Sequence, residues 1–192
     1  MSDLHGRKDR YTKLFAAIEA ERPGAVFLGG DLLPSGFGIA TWPGGDGEAP
    51  HEDERGFVCG FLAGHLARLR DVLGPAYPAV FVILGNDDAR VEEDAVREVE
   101  ALGLWHYAHN RLIDWNGFSV YGYSCVPPTP FRLKDWERYD VSRYVDPGCC
   151  SPEEGWRTVP VEAHDVRYGT IEADLDALTE GRDLSRTIFL FH

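Results

Sequence analysis

The chain has 192 residues, 44% of them hydrophobic and 12% aromatic, enough for one globular domain with a substantial core. Asp and Glu outnumber Lys and Arg by 32 to 19, and the resulting charge of −13 repels nucleic-acid backbones and anionic membranes. A small anionic substrate stays open to such a chain, because a bound metal ion dominates its local field. The four cysteines, Cys59, Cys125, Cys149 and Cys150, form no C-x-x-C pair and no disulfide framework. Together with the lack of a leader-like N-terminus or an apolar run of membrane-spanning length, this points to a cytoplasmic protein that does not enter membranes.

In chain order, Tyr11, Leu14, Phe15 and Ile18 recur at helical spacing until Arg22-Pro23-Gly24, and the apolar run Ala25 to Leu28 reads as a buried strand. Phe57, Phe61, His65 or Leu66, Leu69 and Val72 predict a second helix, halted by Gly74-Pro75. A second buried strand follows at Ala79 to Leu84. Ala95, Val99 and Leu102 mark one face of a third helix over Val91 to Leu102. From His106 to Ser124, short aromatic and β-branched runs broken by Asn110, Asn116-Gly117 and Gly122 predict a hairpin or meander, hence a mixed sheet. Ile171, Leu175 and Leu178 mark a last helix, and Thr187 to Phe191 a last strand. The expectation is a single α/β domain over 1–192 with loop insertions at 34–55 and 126–168, both rich in proline.

The residues fit for chemistry lie where these strands end. Asp3 and His5 stand in Asp-Leu-His-Gly, Asp31 closes Leu28-Gly-Gly-Asp31, Asn86 lies in Gly85-Asn-Asp-Asp88, and His192 follows the last strand. Carboxyl ends of strands in an α/β sheet converge on one crevice, which lets residues distant in sequence meet. Oxygen and imidazole donors without thiolates suit Mn, Fe, Zn or similar divalent ions. In an extended backbone Asp3 and His5 would also point to the same side. A Gly-Asp after a strand is by itself more often turn chemistry than a ligand, but turn chemistry does not explain the ordered set.

The blocks D-x-H-G, G-G-D and G-N-x-D, with a histidine after an apolar strand in Phe189-Leu-Phe-His192, resemble the calcineurin-like metallophosphoesterases, in particular the small prokaryotic phosphoesterases. That resemblance implies an αββα sandwich with mixed sheets. It also implies two divalent metal ions, held by Asp3 and His5 on one side and Asn86 and His192 on the other, with Asp31 bridging. The substrate implied is a small phosphate ester, with Asn86 and Arg7 as contacts to it. Where many such enzymes carry a histidine after the asparagine to assist the leaving group, this chain has Asp87, which the resemblance makes, with Arg7, a candidate catalytic residue. A carboxylate beside two cations is a poor general acid, so diesters or esters with good leaving groups are expected. With two residues before Asp3 and none after His192, the resemblance further implies a domain incomplete at its first strand and lacking a final G-H-x-H block. The competing expectation is a non-catalytic module that keeps the fold and a metal as a binding surface.

Overall fold

The computed structural model describes residues 1–34 and 54–192. The periodic residues of the first segment form helix α1 (Lys8–Glu21), which buries Tyr11, Leu14, Phe15 and Ile18 and ends at Arg22 in the left-handed conformation before Pro23. Its neighbour is a continuous helical segment: α2 (Glu54–Gly56), a π-helical stretch over Phe57–Leu62, and α3 (Ala63–Leu73). The two are joined by aromatic contacts. Tyr11 lies edge-on to Phe57 at 5.6 Å, Phe57 stacks on Phe61 at 5.1 Å, and His65 stacks on Phe15 at 5.0 Å. His65 is therefore a packing residue. Each fully buried ring of this kind contributes about 1.5–3 kcal/mol relative to exposure.

β1 (Ala25–Gly29), β2 (Ala79–Ile83) and β3 (His106–Tyr107) form a parallel sheet in that order. β2 is apolar throughout because both of its faces are covered. Val80 and Val82 join the core under α1, α3 and α4 (Glu93–Ala101). On the other face Phe81 stacks on Phe27 at 5.1 Å and lies edge-on to Trp115 of the second sheet at 5.9 Å. That second sheet has the order β4 (Arg111–Trp115), β5 (Phe118–Tyr123), β6 (Thr187–Phe191), with β4 antiparallel and β6 parallel to β5. The expected hairpin is β4 and β5, turned at Asn116 and Gly117, both at positive φ. The chain is thus an α/β protein, with two three-stranded sheets among the described residues, one of them mixed.

Several expectations need correcting. His106 and Tyr107 belong to the parallel sheet and not to the meander, because β3 pairs with Phe81 and Val82. Leu102 and Val72, expected on buried faces, are exposed: Leu102 lies just past the end of α4, and α3 buries Leu66, Leu69 and Leu73 while leaving Val72 outside that face. The segment 126–168 contains a short helix, α5 (Ala163–Tyr168), ahead of α6 (Ile171–Thr179), and much of the rest is tightly bonded. The insertion expected at 34–55 falls almost wholly outside the described residues. No helix among the described residues is long and apolar enough to cross a membrane.

Candidate metal centre

The first six residues run beside the free edge of β1 and its continuation. Gly29 N–H donates to Met1 O (2.8 Å), Asp3 N–H to Gly30 O (3.1 Å), His5 N–H to Asp31 O (2.9 Å) and Gly6 N–H to Leu32 O (2.9 Å). This ladder sets Asp3 and His5 opposite Asp31. The backbone there is not extended, which corrects the expectation that Asp3 and His5 share a side by strand alternation. Asp3, His5 and Asp31 all lie at positive φ, 58°, 47° and 52°, a region that costs a side-chain-bearing residue energy. Left-handed turns at both ends of Leu4, itself buried, bring the two side chains together. Ligand atoms of Asp3, His5 and Asp31 all lie within 4.8 Å of one another.

The second group forms around the other oxygen of Asp31. His192, after β6, places Nε2 3.4 Å from Asp31 Oδ1 and 3.0 Å from Asn86 Oδ1. Its Nδ1 lies 2.8 Å from Gly29 O, so Nδ1–H donates to the carbonyl and Nε2 presents a lone pair. Three acceptor atoms then face one another, an arrangement that a cation relieves. His5 approaches from the other side, with Nε2 3.9 Å from Asp31 Oδ2. Asp31 is buried and His192 nearly so, with side chains 10% and 12% exposed, whereas His5 is 35% exposed and marks the open side.

Two glycines allow this closeness. A Cβ at Gly85 would lie 2.3 Å from Asp31 Oδ1 and 2.4 Å from Asp31 N, and one at Gly30 would lie 2.5 Å from His192 Nδ1. No other residue fits at either position without moving a candidate ligand.

Asp88 is absent from the set that the sequence singles out. It is buried and accepts backbone N–H groups from Leu32, Leu33 and Gly85 at 2.8 to 3.1 Å, so one carboxylate clips the turn after β1 to the turn after β2. Burial pushes its carboxyl up to about 6 against the pull of those N–H bonds. The Gly85-x-x-Asp88 spacing of a side-chain-capped turn was a signal for its local bond, but not for its long-range ones. Asp87, expected near the leaving group, instead has Oδ2 3.2 Å from His5 Nδ1, and its N–H donates to Asp31 Oδ1 at 2.9 Å. Arg7, expected at substrate, pairs with Asp9 (Nε to Oδ1 3.3 Å), and both side chains are exposed. The structure thus gathers Asp3, His5, Asp31, Asn86, Asp87 and His192, and leaves Arg7 at the margin.

His109 lies against Trp136, whose ring is edge-on at 4.9 Å, and its Nδ1 accepts Ser124 N–H at 3.0 Å. Burial pushes its imidazole down to about 4, so it is a neutral structural residue.

No family model and no curated protein matches this chain. Among solved structures, TT1561 of Thermus thermophilus is 19% identical and superposes with a TM-score of 0.50, over 100% of this chain and 65% of its own. Another solved chain, 21% identical with a TM-score of 0.39 over 64% of this chain and 50% of its own, is too remote to inform the fold. This chain therefore spans one half to about two-thirds of the length of the solved chains it matches. What the likeness to TT1561 carries is the α/β fold.

Proposed function

We propose that the chain is a metal-dependent phosphoesterase of the calcineurin-like type, its two sheets the inner layers of an αββα sandwich. The observation that carries this reading is Asp31. Its Oδ2 faces His5 and its Oδ1 faces His192, whose Nε2 also reaches Asn86 Oδ1, the disposition of a carboxylate shared by two cations. Asp3, His5 and Asp31 would hold one divalent ion, and Asp31, Asn86 and His192 a second. The donor set is hard oxygen plus imidazole, which suits Mn, Fe or Zn. Such ions supply Lewis-acid polarisation of phosphoryl oxygens and an activated water.

The chain's own residues orient and confine this chemistry. Asp88 fixes the spacing of the two ligand-bearing turns, Gly29 O and Asp87 orient the histidines, and the open side at His5 admits a small phosphate ester. Asp87, tied to His5, offers no proton to a departing alkoxide, so diesters with aryl leaving groups are the preferred substrates.

The test is metal content and hydrolysis of bis(p-nitrophenyl) phosphate with Mn²⁺, comparing wild type, Asp31→Asn and Asn86→Ala. Asp31→Asn should lose more activity than Asn86→Ala, by at least roughly tenfold. Parity between the two folded variants removes the bridging role. Metal binding without turnover in the wild type supports a binding module instead.

A further inference from the structure

Residue 87 touches two of the candidate ligands in different ways. Its backbone N–H donates to Asp31 Oδ1 at 2.9 Å, and its side-chain Oδ2 lies 3.2 Å from His5 Nδ1. The side chains of Asp87 and His5 are 40% and 35% exposed, at the open face of the site. A neutral imidazole carries its proton on one nitrogen, and the acceptor beside the ring decides which. With a carboxylate at Nδ1, the proton sits on Nδ1 and the Nε2 lone pair points toward Asp31 Oδ2, 3.9 Å away. His192 repeats the pattern with a different acceptor, Gly29 O at Nδ1 and Nε2 facing Asp31 Oδ1. Both histidines thus turn the same nitrogen inward, each held by an acceptor on the other nitrogen.

We infer that Asp87 is a positioning residue: its carboxylate fixes the tautomer and ring orientation of His5, so that Nε2 is presented to a divalent cation beside Asp31. The ion in this statement rests on the phosphoesterase reading; the hydrogen bond and the tautomer do not. The assignment replaces the expectation that Asp87 acts near a leaving group. An outer carboxylate on a ligating histidine raises its basicity and fixes its geometry, and losing one typically weakens metal binding about 10- to 100-fold. The backbone half of the grip survives any substitution at 87 other than proline, so the side-chain half can be removed while Asp31 stays held.

The experiment has two readouts on the full chain, with Asp87→Ala and Asp87→Asn as variants. In the metal-free protein, long-range ¹H–¹⁵N spectra of the histidine rings report each tautomer. Wild-type His5 should carry its proton on Nδ1, Asp87→Ala should move it toward Nε2, and Asp87→Asn, which keeps a carbonyl oxygen as acceptor, should largely retain it. His192 should be unchanged in all three, which a general loosening of the site would not give. Calorimetric titration with Mn²⁺ should then show one site weakened about 10- to 100-fold in Asp87→Ala and mostly restored in Asp87→Asn. An unmoved His5 tautomer in Asp87→Ala overturns the proposal, as does unchanged Mn²⁺ affinity in a variant whose tautomer has moved. If the wild type binds no Mn²⁺, the phosphoesterase reading fails, whereas a tautomer shift in that same protein upholds the Asp87–His5 pairing.

Discussion

Two regions of this molecule hold polar groups in buried surroundings by opposite means. At the strand ends, regular elements do most of the positioning, and strain is confined to single residues such as Asp3, His5 and Asp31 at positive φ. In the segment 126–160 there is almost no regular structure, yet Lys134, Asp135, Trp136 and Glu137 are all buried. There the side chains replace the ladder. Lys134 Nζ donates to Glu137 at 2.5 Å and to Thr129 O at 2.9 Å, and Glu137 accepts the N–H and hydroxyl of Thr129. Asp135 accepts Arg90 N–H and Thr158 N–H, each at 2.8 Å. The regions meet at Trp136, whose Nε1–H donates to Asp88 O at 2.8 Å, two residues from Asn86. A long irregular segment can therefore be as firmly held as a sheet, provided its buried charges are paired and bonded.

The largest test of this contrast is to unpair the irregular segment. Glu137→Ala strands the Lys134 ammonium, fully buried like its partner, and should cost about 3–5 kcal/mol in chemical denaturation. A loss below about 1 kcal/mol would mean that the segment is only draped over the core. The matching intervention at the strand ends is Gly85→Ala. Its Cβ would overlap Asp31 Oδ1, and it should lower diester hydrolysis about 100-fold, with denaturation less affected than by Glu137→Ala. If activity survives, the close approach does not set the ligand geometry.

A third test uses pH. His109, wedged against Trp136, has a folded pKa of about 4 against an ordinary 6.5, because burial disfavours its charged form. The unfolded chain takes up the proton first as pH falls. Stability from this group is thus fully present above 6.5 and is lost as pH drops toward 4, by on the order of 2 kcal/mol at pH 5. Urea midpoints at pH 7 and pH 5 should show that loss in the wild type and a flatter dependence in His109→Gln. Equal slopes would take His109 out of the account. The smallest effect should come from Arg7→Ala. An exposed pair with Asp9 is worth little, so the urea midpoint should barely move and diester hydrolysis should change by less than roughly threefold. A larger kinetic loss would restore Arg7 as a substrate contact.

Most of the candidate ligands were legible because they follow an apolar run or precede a glycine, and Asp3 because it stands two residues before His5-Gly6, local features that a sequence carries whole. The bonds of Asp88 and Asp87 were not, since an acid in a turn reads as solvated until its partners, Leu32 and Leu33 for one and His5 for the other, are known. The same holds for Lys134 and Glu137, whose charge argues for solvent in any window reading and whose burial is decided by the pairing between them.

What the sequence determined by itself is most of the elements and the candidate donors: periodicity marks α1, α3, α4 and α6, apolar runs mark β1, β2 and β6, and Asn116-Gly117 marks the hairpin, whereas β3 and α5 carry no such mark. Only the tertiary structure decided which sheet each strand joins, how the turns bend at Asp3 and His5, and which nitrogen of each histidine faces Asp31. The physical reason is range. Hydrophobic period and turn chemistry act over a few residues, whereas a site such as this one depends on hydrogen bonds and close contacts between residues up to 163 positions apart, as His192 and Gly29 are.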